Sequence, residues 1–163
     1  MIRTISSTVN SKPVTWRIDV RMSLAEVLRT NGFTSVKEGC GVGECGACAV
    51  LIDDVTVDSC LFLAIWADGC NIRTAEGESK GGELSEVQQA YLDTGAVQCG
   101  FCTPGLVMSS TEFVEKHKGE KVSREKIRKE HAGHICRCTG YEGIIRAVEQ
   151  CMKPYEKHKS TDS

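Results

Sequence analysis

Ten cysteines in a chain of 163 residues constrain this sequence more than any other feature. Eight of them fall into two sets of four. The first set is Cys40, Cys45, Cys48 and Cys60, with the spacing C-x4-C-x2-C-x11-C. The second joins Cys99-x2-Cys102 to Cys136-x-Cys138, with 33 residues between the pairs. Thiols this closely spaced imply disulfides, metal ligands or redox groups. The N-terminus, MIRTISSTVNSKPVTW, has no long apolar core and no twin arginine, so it does not read as an export signal. A cytoplasmic chain is the expectation. Cytosolic thiols are kept reduced, which favours metal or redox chemistry over disulfides.

Charge and hydropathy exclude other classes. A net charge of -2 and a pI near 6.1 give no basic excess for nucleic acid or an anionic membrane surface. No apolar run approaches the roughly 18–20 residues of a membrane span. A hydrophobic fraction of 40% permits packed cores, and bound metal would add further staples.

The pattern changes character halfway along the chain. Residues 3–9 and 14–20 flank Asn10-Ser11-Lys12-Pro13 and read as a β-hairpin. Ser23-Leu24-Ala25-Glu26 is a capping box that starts a short helix, and Asn31-Gly32 stops it. Ala49–Ile52, Asp53-Asp54 and Val55–Val57 read as a second hairpin. Cys60–Ala67 reads as a helical turn and Asn71–Thr74 as a last strand. The next stretch, TAEGESKGGE at 74–83, holds no large apolar residue and three glycines, and reads as a linker. Beyond it the β signal disappears. Helices are predicted over Leu84–Leu92, Pro104–Lys116, Ser123–His131 and Tyr141–Met152, with Pro104 at the first helical position and Ser123 as a cap. Residues 153–163 read as a polar, frayed tail. The expectation is α+β: a small mixed sheet with one helix over 1–76, a linker at 77–83, and a four-helix domain over 84–155.

The stretch EGCGVGECGAC, residues 38–48, carries three cysteines and four glycines. C-x4-C-x2-C with a distant fourth cysteine is the spacing of plant-type [2Fe–2S] ferredoxins. Three thiolates within nine residues must wrap one anionic core. Gly39, Gly41, Gly43 and Gly46 then permit positive φ and leave room for amides to point at sulfur. Gly41 to Gly46 also matches G-x-G-x-x-G. That fingerprint needs a strand before it and a crossover helix after it, whereas here a strand-like run follows. Zinc sites usually come as two C-x2-C-type pairs or with histidine, a poor match to the first set.

The second set alone fits zinc or iron–sulfur equally. His131 and His134 lie near it and read as polar helix-end residues close to solvent. Each cysteine pair precedes a predicted helix, where the dipole and free amides favour thiolate.

Taken in order, Cys40-x4-Cys45-x2-Cys48, then Gln98-Cys99-Gly100-Phe101-Cys102-Thr103-Pro104-Gly105, then Cys136-Arg137-Cys138-Thr139-Gly140-Tyr141, resemble the iron–sulfur subunit of the molybdenum hydroxylases, the xanthine dehydrogenase and aldehyde oxidase family. The resemblance covers about residues 3–152 and is strongest to bacterial xanthine (purine) dehydrogenases built from separate chains. It implies a β-grasp ferredoxin-like domain followed by a helical domain with a second cluster. Cys40, Cys45, Cys48 and Cys60 would hold the [2Fe–2S] cluster nearer the flavin, and Cys99, Cys102, Cys136 and Cys138 the one nearer molybdenum. Gln98 would hydrogen-bond the pterin of the molybdenum cofactor, with Cys138 beside it. The implied partners are a large subunit with the molybdenum cofactor (molybdopterin) and a medium subunit with FAD, in a hetero-oligomer that could be a dimer of heterotrimers. Electron transfer would be the role, with no catalytic residue in this chain. Substrate residues would lie on a partner, so purine, nicotinate and aldehyde stay open.

Two cysteines, Cys70 and Cys151, belong to no ligand spacing and read as small buried hydrophobes. The run Lys116–Lys121 reads as a solvated loop. A different class of reading, a zinc-stabilised interaction module, is separated by colour: zinc protein is colourless and [2Fe–2S] protein red-brown.

Overall fold

The computed structural model describes residues 1–153. The polar tail, and residues 154–155 of the expected second domain, lie outside the described residues.

Strand β1, Ile2–Val9, pairs antiparallel with β2, Lys12–Asp19. Their turn is two residues long, with Asn10 at φ 50° and Ser11 at φ 65°. Two left-handed residues match the twist of a hairpin, so the strands close tighter than the four-residue turn expected from sequence. Pro13 therefore lies inside β2. It is tolerated because β2 is an edge strand and needs fewer ladder donors. Helix α1, Leu24–Thr30, starts at the predicted capping box, with both reciprocal bonds formed between Ser23 and Glu26. Strands β3, Ala49–Ile52, and β4, Val55–Asp58, form the second hairpin, and β5, Asn71–Arg73, completes the sheet. The strand order is β2-β1-β5-β3-β4, with β5 parallel to β1 and antiparallel to β3.

One face of this sheet carries Ile5, Val9, Trp16, Ile18, Val50, Ile52 and Ile72 against Leu24, Val27 and Leu28 of α1. All four residues of β3 are buried. Such a continuous apolar run requires cover on both faces. The second cover is the long helix α4, Thr103–Lys116, which packs on β3. Residues beyond 74 thus complete the first half's core instead of hanging from it.

The connecting stretch carries order that its composition hides. Ala75–Glu78 forms a single-turn helix, α2. Glu76 accepts the amide of Ser35 at 2.8 Å and the hydroxyl of Thr74 at 2.6 Å. Lys80 and Glu83 then close a tight turn over Gly81 and Gly82.

Helices α3, Glu86–Asp93, α4, α5, Arg124–Glu130, and α6, Glu142–Met152, are the four helices of the second half. Ser123 caps α5 as expected, and Pro104 falls in the first turn of α4. Their core joins Val87, Ala90, Tyr91, Leu106, Val107, Ile144 and Ala147. Among the described residues no helix is long and apolar enough to cross a membrane.

Candidate metal centres

All ten cysteines are free thiols. The first set is gathered by three separate elements. Cys40 and Cys45 lie on the loop after α1, Cys48 immediately precedes β3, and Cys60 follows β4. All four line one cavity of about 510 Å³. Within it the Cys40 thiol stands against Cys45, and Cys48 against Cys60. The amides of Val42 and Glu44 point at Cys40 Sγ from 3.4 and 3.3 Å. Those amides, Val42 foremost, hold the Cys40 thiol down to about 7. Burial pushes the Cys48 thiol up to about 12, and it lies 3.7 Å from Asp58 Oδ1.

The glycines of this loop serve two needs. Gly41, Gly43 and Gly46 have φ of 68°, 73° and 67°. Gly39 is different: its φ is not left-handed, and it is small because a Cβ there would stand 2.9 Å from Cys45 Sγ.

In the second set, Cys138 Sγ and Cys99 Sγ are 3.5 Å apart and exposed. Cys102, the N-cap residue of α4, stands against buried Cys136. The Phe101 amide lowers the Cys99 thiol below its ordinary range, and contact with Cys99 raises that of Cys138. Burial pushes Cys102 up to about 12. Burial also works against ionising Cys136, but the Thr139 hydroxyl at 3.1 Å and nearby amides outweigh it and lower that thiol.

Each set therefore consists of two facing pairs. Among the described residues no three Cys, His, Asp or Glu side chains converge on a position for a single metal ion. Tetrahedral zinc needs four donors around one point. Two facing pairs suit a two-iron core, and the cost of ionising the buried thiols is what bound iron would offset. The cradle fits a [2Fe–2S] group by donor chemistry, by the amides aimed at sulfur, and by the space kept at Gly39.

The two cradles touch. Ile135 N–H donates to the Cys45 carbonyl at 3.1 Å. The Gly46 carbonyl lies so close to α4 that a Cβ on Gly105 would stand 2.1 Å from it. Tyr141, in a left-handed conformation at φ 67°, folds its phenol back to accept the Cys136 amide at 2.9 Å and donate to the His134 carbonyl at 3.2 Å.

The histidines correct the sequence reading. His131 and His134 are buried, not solvent-facing. His131 Nε2 bonds Ser110 at 2.8 Å, and His134 Nε2 bonds Ser109 at 2.5 Å. Helix α4 presents a polar run, Ser109-Ser110-Thr111, to the interior, and the imidazoles satisfy two of its hydroxyls. Nothing in the cysteine spacing signals this. His117 is likewise buried inside the run read as solvated, and bonds Glu120 at 2.8 Å. Cys151 is buried with its thiol toward the Glu86 carbonyl, whereas Cys70 is only half-buried. Gln98 is exposed next to Cys99.

Two family models match the chain. Residues 7–69 match the 2Fe-2S iron-sulfur cluster binding domain, and residues 74–149 the [2Fe-2S] binding domain. The chain is 53% identical over 150 residues to the xanthine dehydrogenase iron-sulfur-binding subunit of Escherichia coli O157:H7, covering 92% of this chain and 94% of that one. This chain belongs to the iron–sulfur subunits of the molybdenum hydroxylases. The nicotine 6-hydroxylase small subunit of Paenarthrobacter nicotinovorans is 44% identical, covering 86% of this chain and 84% of its own. The crystal structure of quinoline 2-oxidoreductase from Pseudomonas putida 86 contains a chain that superposes with a TM-score of 0.86 at 42% identity, covering 90% of each chain. The α+β architecture, the two [2Fe–2S] domains and the role as an oxidoreductase subunit follow from membership.

Proposed function

We propose that this chain carries electrons from a molybdenum-cofactor subunit to a FAD subunit, and that the assembled enzyme oxidises a purine such as xanthine. The observation that carries this reading is the pair of four-thiol cradles in direct backbone contact, each with exposed thiol at its rim. Bound [2Fe–2S] clusters would supply two one-electron stores in series.

The residues have separate tasks. Cys40, Cys45, Cys48 and Cys60 hold the first cluster, and the Val42 and Glu44 amides stabilise its added negative charge. Cys99, Cys102, Cys136 and Cys138 hold the second. Its exposed pair, Cys99 and Cys138, lies with Gln98 on open surface, which suits a pterin edge from a partner. Its buried member Cys136 adjoins Ile135, whose amide reaches the first cradle. The order molybdenum side, second cluster, first cluster, flavin side is consistent with this layout. The domains are assigned to 1–76 and 84–155, joined by 77–83. The reading implies a cytoplasmic hetero-oligomer.

A purine substrate is supported by 53% identity to a xanthine dehydrogenase subunit, against 44% to the nicotine 6-hydroxylase subunit. The test is anaerobic addition of xanthine, nicotinate or an aldehyde to the chain co-expressed with its molybdenum and flavin subunits. Xanthine is expected to bleach the visible bands of both clusters. Bleaching by nicotinate or aldehyde alone would overturn the purine assignment. Purified alone, the chain should be red-brown, reducible by dithionite and inert toward purines; hydroxylation by the isolated chain would overturn the electron-carrier role.

A further inference from the structure

One side chain touches the supports of both cradles. His134 leaves only 7% of its surface exposed. Its Nε2 is bonded to Ser109 of α4. The opposite edge of the ring lies against the α-carbon of Gly46, between Cys45 and Cys48, where a Cβ would stand 2.2 Å from Nδ1. The ring thus fills the space between Ser109 of α4 and Gly46 of the first cysteine loop. Its main-chain carbonyl accepts from the Tyr141 phenol, and that phenol holds the Cys136 amide. His134 Nδ1 faces the Gly46 main chain without a well-formed hydrogen bond.

We propose that His134 is a positioning residue that sets the separation of the two iron–sulfur clusters; the inference rests on the two-cluster reading above. Packed interiors do not deform continuously, so a rigid ring wedged between two loops fixes their spacing. Truncating it opens space between Gly46 and Ser109, and the first cysteine loop can then shift relative to α4, which carries Cys102 of the second cradle at its start. His131 is the internal comparison. It is equally buried and bonds the adjacent Ser110, yet its bonds run to Ser110 and the Ile127 carbonyl, not to either cysteine loop.

The experiment is electron paramagnetic resonance of the dithionite-reduced chain in its holoenzyme, with iron and sulfide measured on the same samples. The wild type should show two signals, split by the interaction between neighbouring reduced clusters. His134→Ala should lose part or all of that splitting while both signals remain. Ser109→Ala, which keeps the ring but frees its outer edge, should lose less. His134→Gln, which restores a group within reach of Ser109, should recover part of the splitting. His131→Gln should lower stability and leave the splitting unchanged. Unchanged splitting in a fully loaded His134→Ala overturns the proposal, as does an equal loss in His131→Gln. If His134→Ala fails to load both clusters, Ser109→Ala decides, and unchanged splitting there overturns the proposal. A wild type with only one signal and half the iron would instead sink the two-cluster reading on which this rests.

Discussion

Gly105→Ala tests whether the two halves are packed as tightly as the structure indicates. Gly105 lies in the first turn of α4 with no left-handed backbone to protect. In an isolated helix the change would stabilise by about 1 kcal/mol, because alanine loses less backbone entropy than glycine. Here the new Cβ would meet the Gly46 carbonyl oxygen at 2.1 Å, its carbon at 3.1 Å and the Ala47 carbonyl carbon at 3.3 Å. All three are main-chain atoms, so no side chain can swing away. Relief requires α4 and the first cysteine loop to part by about 1 Å, given the usual spacing of non-bonded heavy atoms. A Cβ forced this close to main-chain atoms puts the overpacking cost at the upper end of its usual range, about 2–3 kcal/mol, which outweighs the helix gain. The net loss should be about 1–2 kcal/mol, or a fall of roughly 2–8 °C in Tm. The assay is thermal unfolding of wild type and variant at matched iron content. Gly133→Ala is the control, since a Cβ there would meet nothing. A Gly105→Ala protein as stable as wild type, or more so, would refute the close contact.

Three further outcomes are expected. Cys45→Ser should remove one paramagnetic signal and about half the iron, and Cys136→Ser the other signal; loss of both from either change in a folded protein would refute two independent cradles. Arg73→Met should lower stability by about 2 kcal/mol in a urea melt, because Arg73 bonds Asp54, Glu78 and Glu115, and Glu78 is almost wholly buried and would be left unpaired; Glu115→Gln, at an exposed end of that network, should cost well under 1 kcal/mol. Burial holds the His131 pKa below its ordinary value. The unfolded chain therefore takes up the proton more readily, and stability should be full above about pH 6.5 and fall as pH drops toward the folded value, by at most about 1.4 kcal/mol per pH unit for this group. Denaturant melts at pH 7.5 and 5.5 should show that slope flattened in His131→Gln.

The grouping of eight cysteines into two facing sets was legible because each set keeps a characteristic spacing along the chain. The capping box at Ser23 and the apolar run of β3 were legible for similar local reasons. Pro13 was misread as a turn residue because sequence does not say which strand lies at a sheet edge. The burial of His131 and His134 was illegible. Their partners, Ser109 and Ser110, lie more than 20 residues away and look like ordinary polar residues of a helix. Tyr141 was legible as a helix start but not as a left-handed residue whose phenol returns to Cys136. The order within 74–83 also rests on distant partners, chiefly Ser35 and Gln88.

Both borders of the sheet are closed to newcomers. On one side β2 carries Pro13, which donates nothing, and exposed Lys12 and Arg17. On the other, Glu112 of α4 reaches across to take the Thr56 amide of β4 at 2.9 Å. Open strand borders recruit other chains by backbone pairing, and charges, prolines and covered amides prevent it. On the proposed role, in which the chain meets two different partners, such an indiscriminate edge would be a liability. Exposed apolar side chains instead stand at the cysteine loops, Val42, Leu61, Phe101 and Ile135 among them, so on the proposed role recognition and electron transfer would share one surface.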